Sequence, residues 1–254
     1  MSRQAQTSRL LAEQHSLPLT IALHLVPGVV IVATYLLIAS PLVTALNFPP
    51  HLGWVVAMCI GLAPVQLGFL LYLGKRQTGR FTLRGVIGYR DKPTPRGPLI
   101  LLVIALIVGV YAVSMALTPV DTAVYQALSS WIPIENSTTS FLKGYSRSTV
   151  ITTLAVSLVL TGVILPAVEE FYFRGFLLPR MSRLGGWAPV ANATLFSLYH
   201  FWTPWQFLSR VGFFLPTIWV TWRKKDLRIS LWVHCAGNTL LQAATLTAVV
   251  LGFA

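Results

Sequence analysis

Two adjacent glutamates, Glu169 and Glu170, stand inside an apolar run of a chain that has only seven acidic residues among 254. A charge near mid-membrane costs about 2.5–3.5 kcal/mol on insertion scales, so a sequence this sparing of charge has a reason for placing two there. The surrounding text is Pro166, Ala167, Val168, Glu169, Glu170, Phe171, Tyr172, Phe173, Arg174, Gly175. Glu170 and Arg174 are four apart, share a helix face and follow the favourable acid-before-base order. Glu169 is turned away by about 100° and has no partner at that spacing. One reading makes Glu170–Arg174 an orienting pair and Glu169 the reactive carboxylate. The other makes all three a buried ion-pair knot that holds helices together.

Two further polar insertions bear on that choice. His200 lies in the next apolar run, four residues after Phe196. In the last run His234 and Asn238 are four apart on one face, which Gln242 continues. A lone intramembrane histidine is usually a packing residue. Three helices presenting Glu, His, and His with Asn are expected to converge in a bundle interior, where ionisable intramembrane residues face. Such a set could activate water with a carboxylate base and stabilise an oxyanion with neighbouring donors. A metal version remains open: Glu169, His200 and His234 could supply three zinc ligands and leave a fourth position for water. The chain has no His-Glu-x-x-His sequence, so this version ranks second. His24 and Cys59 have no polar partner at helical spacing and read as packing residues. His15 and His51 lie at the membrane edge, and Cys235 points about 100° away from His234.

These side chains need a membrane-embedded frame. The chain is 55% hydrophobic and only 10% charged, against about a quarter charged for a soluble domain, so it cannot cover a water-facing surface. Crossing a bilayer takes about 20 mostly apolar residues, and such runs occur near 19–46, 53–74, 98–118, 149–173, 187–204, 206–222 and 229–253. They lack the alternating polarity of β-barrel strands. The expectation is an all-α polytopic bundle of about seven transmembrane helices. The fifth and sixth are separated only by Thr203, Pro204, Trp205 and Gln206. The first carries Pro27 and Pro41, which favour a kink.

The net charge of +12 follows topology and not one binding face, and no nucleic-acid motif accompanies it, so a nucleic-acid partner is not expected. Of nineteen Lys and Arg residues, only Lys143, Arg147 and Arg210 fall on the side opposite the N-terminus. The positive-inside rule then puts the N-terminus in the cytoplasm and the C-terminus outside. The expected organisation is a cytoplasmic segment (1–18), three helices (19–118), an external loop (119–148) and a four-helix core (149–254). In that loop Trp131, Ile132, Pro133 and Ile134 could dip into the interface, and Asn136, Ser137 and Thr138 form a glycosylation sequon. Two cysteines, both in apolar runs, exclude a disulfide scaffold. The polar residues 1–15 lead into a long run followed by further spans, so no cleaved signal peptide is read.

Glu-Glu-x-x-x-Arg at 169–174, Phe-x-x-x-His at 196–200 and His-x-x-x-Asn at 234–238 form an ordered set. Together they resemble the CAAX protease and bacteriocin-processing (CPBP, or Abi) family of intramembrane endopeptidases. Phe173, Arg174 and Gly175 are also similar to that family's first motif. The resemblance covers about 149–253. It implies helices around a cytoplasm-facing cavity, with Glu169 as the water-activating base and His200 assisting it. It also implies that His234 and Asn238 hold the oxyanion and that Glu170 and Arg174 support the site. A glutamate mechanism needs no cofactor; zinc is the alternative. The implied partners are the lipid bilayer and a peptide or protein substrate, lipidated or not. The implied location is the plasma membrane of a prokaryote. Two other classes compete: a non-catalytic membrane scaffold or immunity protein, and an ion-coupled transporter carrying protons on Glu169. The intact motif set weighs against the first, and the lack of an inverted repeat weighs against the second.

Overall fold

The computed structural model describes Thr7 and residues 10–90, 93–131 and 144–253. The sequon and the Ile132–Ile134 stretch lie outside the described residues. Helices make up the fold, and no strand occurs among the described residues. Helix α1 is Leu17–Ala45 and α2 is Pro50–Thr78. Helix α3 is Arg96–Ser129, and α4 spans 147–177. A tight 3₁₀ segment, Leu178–Trp187, leads into α5 (Ala188–Tyr199). Helices α6 (Phe207–Lys224) and α7 (Leu227–Leu251) complete the chain.

Four runs are long and apolar enough to cross a membrane: α1, α2, α3 and the continuous stretch Arg147–Tyr199. The sequence predicts seven, and the difference has two causes. Helix α5 holds only 12 residues, about 18 Å at 1.5 Å per residue, well short of the ~30 Å hydrocarbon core. Helices α6 and α7 are longer, but Arg210, Arg223 and Lys224 in one, and His234, Asn238 and Gln242 in the other, lower their hydropathy. Helix α3 also runs past Pro119 to Ser129, well into the segment expected to be external loop. Its flank is greasy and uncovered, with Leu101, Val108 and Met115 each more than half exposed. A helix apolar all round and left open in this way is solvated by lipid.

Prolines shape the inner helices. The backbone widens to π-helical turns at Tyr35–Ala39, Ala63–Gly68, Leu160–Ile164 and Glu170–Leu177. Pro41, Pro166 and Pro179 follow three of these by two residues, and Pro64 lies within the other. Proline lacks an N–H and its ring crowds the carbonyl one turn back. Widening relieves the crowding and frees carbonyls for other partners.

The end of the bundle rich in Lys and Arg is fastened by Asp226. As N-cap of α7 its side chain accepts from Arg228 N, and it accepts from Thr94 N at 2.6 Å and from the Arg228 guanidinium at 2.8 Å. Arg228 also donates to Thr94 O, Leu227 N to Tyr89 O, and Gly88 N to Gly175 O, so Gly88, Tyr89 and Thr94 are strapped across the ends of α4 and α7. Burial pushes the Asp226 carboxyl up, but the bonds from Arg228 and Thr94 outweigh it and hold the pKa at about 2. A pKa below the unfolded value means stabilisation that is complete above roughly pH 4 and fades as pH falls towards 2. Asp226→Ala is therefore expected to cost ~2 kcal/mol at neutral pH. Thermal unfolding in detergent should show a lowered midpoint, with the gap to the unsubstituted protein closing between pH 4 and 2.

Candidate functional site

Helix α4 brings Glu169 and Glu170 to the centre of the inner bundle, with Glu170 opening the second of its wide turns. Arg174 Nη1 lies 3.1 Å from Glu170 Oε1, and neither side chain has any exposure. The guanidinium rests on the face of Phe196 from α5 at 3.9 Å, with Phe214 from α6 at 5.3 Å, so cation–π attraction replaces part of its lost hydration. None of the three Arg174 guanidinium nitrogens, nor Glu170 Oε2, has a well-formed hydrogen bond, so the pair is held by charge. The pair predicted from four-residue spacing is present.

His234 from α7 sits between the two acids. Its Nδ1 is 2.9 Å from Glu170 Oε1, and its Nε2 is 3.9 Å from Glu169 Oε2. An ionised carboxylate only accepts, so Nδ1 carries a proton for Glu170 and Nε2 faces Glu169. The other oxygen of Glu169 accepts the Tyr199 hydroxyl at 2.7 Å. Glu169 thus has a group from another helix at each oxygen: Tyr199 from α5 and His234 from α7.

His200 follows the last residue of α5 and leaves the helical conformation, at φ −81° and ψ 59°. Its Nδ1 donates to Phe196 O at 2.8 Å, which fixes the orientation of the ring. Its ring meets the edge of Phe196 at 4.8 Å, and His234 meets the same ring at 6.1 Å. Both imidazoles are thereby gathered around one aromatic.

Asn238 has a different contact. Its amide donates to Thr161 O at 3.2 Å, while Thr239 donates to Gly162 O and Gln242 to the Thr161 hydroxyl. The wide turn at Leu160–Ile164 exposes these carbonyls, and the polar face of α7 takes them up. No hydrogen bond joins Asn238 to the carboxylates. His24, read as a packing residue, bridges Thr20 O and the Asn192 amide, which donates to Phe173 O in the wide turn of α4.

Among the described residues no group of three or more His, Cys, Asp or Glu is placed to hold a metal ion. The set Glu169, His200 and His234, considered from the sequence as zinc ligands, is not gathered into such a group.

Sequence reasoning missed three neighbours of this cluster. Tyr199 lies beside His200 in an apolar run, and a buried tyrosine hydroxyl needs a partner. Arg210 is buried, bonded to Thr203 and Gln206, and lies within electrostatic reach of Glu169. Gln66, in the wide turn of α2, is wholly buried and lies beside the Tyr199 hydroxyl. Each is a polar residue in an apolar run, the same signal that singled out His200. Gly28 of α1 also matters, because a Cβ there would collide with the Tyr199 carbonyl. A cavity of about 450 Å³ opens beneath the 79–95 loop, walled by Phe171, Tyr89, Leu227 and Leu231. None of the acidic or histidine site residues lines it.

Residues 151–240, from α4 into α7, match the protein-family model described as Type II CAAX prenyl endopeptidase Rce1-like. A CAAX-protease-type domain is therefore present over that part of the chain and supports hydrolytic activity in general. Compared with the curated proteins and with the solved structures, the chain matches none.

Removing one member of a buried pair strands the other and costs about 3–5 kcal/mol. Arg174→Met should therefore sharply reduce the yield of folded protein in detergent. Adding Glu170→Gln to Arg174→Met should recover much of it, which size-exclusion profiles and thermal midpoints of the single and double variants would register.

Proposed function

We propose that the chain is an intramembrane endopeptidase that hydrolyses a peptide bond with water activated by Glu169, without metal. The observation that carries this reading is the contrast between two neighbouring carboxylates. Glu170 is committed to Arg174 at 3.1 Å, whereas Glu169 is held by a tyrosine hydroxyl on one oxygen and faces His234 Nε2 across 3.9 Å from the other. Glu169 takes a proton from water as the water oxygen bonds to the scissile carbonyl carbon. The carbonyl becomes an oxyanion, stabilised by nearby donors. The proton then passes to the leaving nitrogen, with His200 assisting, the C–N bond breaks, and an acid and an amine leave. His234, oriented by Glu170, serves the oxyanion from Nε2 when that nitrogen is protonated. Asn238 joins it only by releasing Thr161 O.

The proposal extends to placement. All seven helices pass into the bilayer, the N-terminus is cytoplasmic, and α5 ends within the membrane. The site is reached from the cytoplasmic side, and the four-helix portion 149–254 is the catalytic core. The protein is read as a member of the CAAX protease and bacteriocin-processing (CPBP, or Abi) family in a prokaryotic plasma membrane, acting on a peptide or protein substrate, lipidated or not; the ordered motifs at 169–174, 196–200 and 234–238 support this reading.

Purified protein would be incubated with a diverse peptide pool, with and without a zinc chelator, and new termini read by mass spectrometry. Glu169→Gln should lower cleavage by about 10²–10⁴-fold while leaving the thermal midpoint unchanged, and the chelator should have no effect. Chelator-sensitive cleavage would sink the metal-free mechanism. Undiminished cleavage by Glu169→Gln would assign the base elsewhere.

A further inference from the structure

We propose that Gln66 of α2 is a further catalytic residue, its carboxamide N–H donating to the carbonyl oxygen of the scissile peptide; this rests on the peptidase reading. Gln66 has no exposed surface, and no well-formed hydrogen bond closes on either its oxygen or its nitrogen. A buried carboxamide without partners is strongly disfavoured, and a native chain retains one where it serves a ligand. Its location indicates which ligand. The wide turn Ala63–Gly68 packs against Leu165–Glu169 of α4, and the carboxamide lies beside the Tyr199 hydroxyl. That hydroxyl has a single proton, which it gives to Glu169 Oε1. It cannot also donate to Gln66, so the amide oxygen and at least one N–H remain for something else at the base.

The reaction needs such a donor. As the water oxygen bonds to carbon, the carbonyl π electrons move onto oxygen, and that charge must be met by donors already in place. Asn238 gives its amide to Thr161 O, and His234 gives Nδ1 to Glu170. Gln66 is a neutral amide already buried beside the hydroxyl that bonds the base. It lies outside the matched region 151–240, on one of the helices that the ordered motifs do not reach.

The test is a kinetic and thermal comparison of Gln66→Leu and Gln66→Met with the unsubstituted protein and Glu169→Gln, on a peptide that the unsubstituted protein cleaves. Both variants remove the N–H and nearly preserve volume. Loss of an oxyanion donor is expected to lower kcat by about 10²–10³-fold and change KM less than about threefold. The thermal midpoint should hold or rise, since an unpaired buried amide has gone. Full kcat in both variants while Glu169→Gln is inactive would overturn the role of Gln66 and leave the peptidase standing. So would an effect on KM alone, or a loss of folded protein in both variants, which would make Gln66 a packing residue. No Glu169-dependent cleavage by the unsubstituted protein would overturn both readings together.

Discussion

Arg174 has no surface open to water or lipid, and the inner bundle is arranged around that fact. A guanidinium cannot lose its charge at any ordinary pH, so it must be compensated where it lies. Glu170 compensates its charge from one turn back on the same helix. Phe196 and Phe214 supply π faces from α5 and α6, and His234 adds a donor to the same Glu170 oxygen from α7. One buried cation thus fixes the mutual positions of four helices. It also decides the chemistry. The charge of Glu170 is used up by this duty, and the acid next to it is left with partners that orient it without neutralising it.

The second constraint is the backbone itself. Inside a membrane every unpaired carbonyl must find a donor, and each wide turn in α4 releases several. The first of them hands Thr161 O, Gly162 O and Val163 O to Asn238, Thr239 and Cys235 of α7. The second hands Phe173 O to Asn192 of α5 and Gly175 O to Gly88 N of the basic loop. The polar side chains of α5 and α7 are therefore of two kinds. Some serve the carboxylates, and others repair the backbone beside them. Their residue types do not distinguish the kinds.

This explains what the sequence made legible. Glu170 and Arg174 pair across one helical turn, an interaction encoded in their spacing. His200 and His234 stand out because each lies in its own apolar run in the same ordered set as the two glutamates, and not as lone imidazoles. Asn238 shares a face with His234, and spacing alone groups them, but its partner is a carbonyl that becomes available only through a π turn that no spacing rule announces. Tyr199, Gln66 and Arg210 read as ordinary members of amphipathic or packing positions until other helices bring Glu169 and its neighbours to them. The seven-run pattern departs from the structure most informatively at its fifth member. Residues 187–204 are apolar enough to suggest a crossing, yet the helix stops at Tyr199.

That early stop is what makes a site possible. A helix ending inside the hydrocarbon region is tolerated only where its last carbonyls are satisfied and the broken backbone is buried in protein or lines a cavity. Here His200 Nδ1 takes Phe196 O, Phe201 N takes Tyr199 O, and Thr203 N takes His200 O. Arg210 then clasps Thr203 and Gln206 to close the turn. Gly28 removes the side chain that would otherwise keep α1 away from the Tyr199 carbonyl. With the break sealed by its own residues, Tyr199 reaches Glu169 and the His200 ring packs against Phe196. The 3₁₀ segment Leu178–Trp187 supplies the matching offset, because it carries the chain beyond the end of α4 before α5 turns back. The helix break, sealed in this way, brings a hydroxyl from the last turn of α5 onto a buried carboxylate of α4.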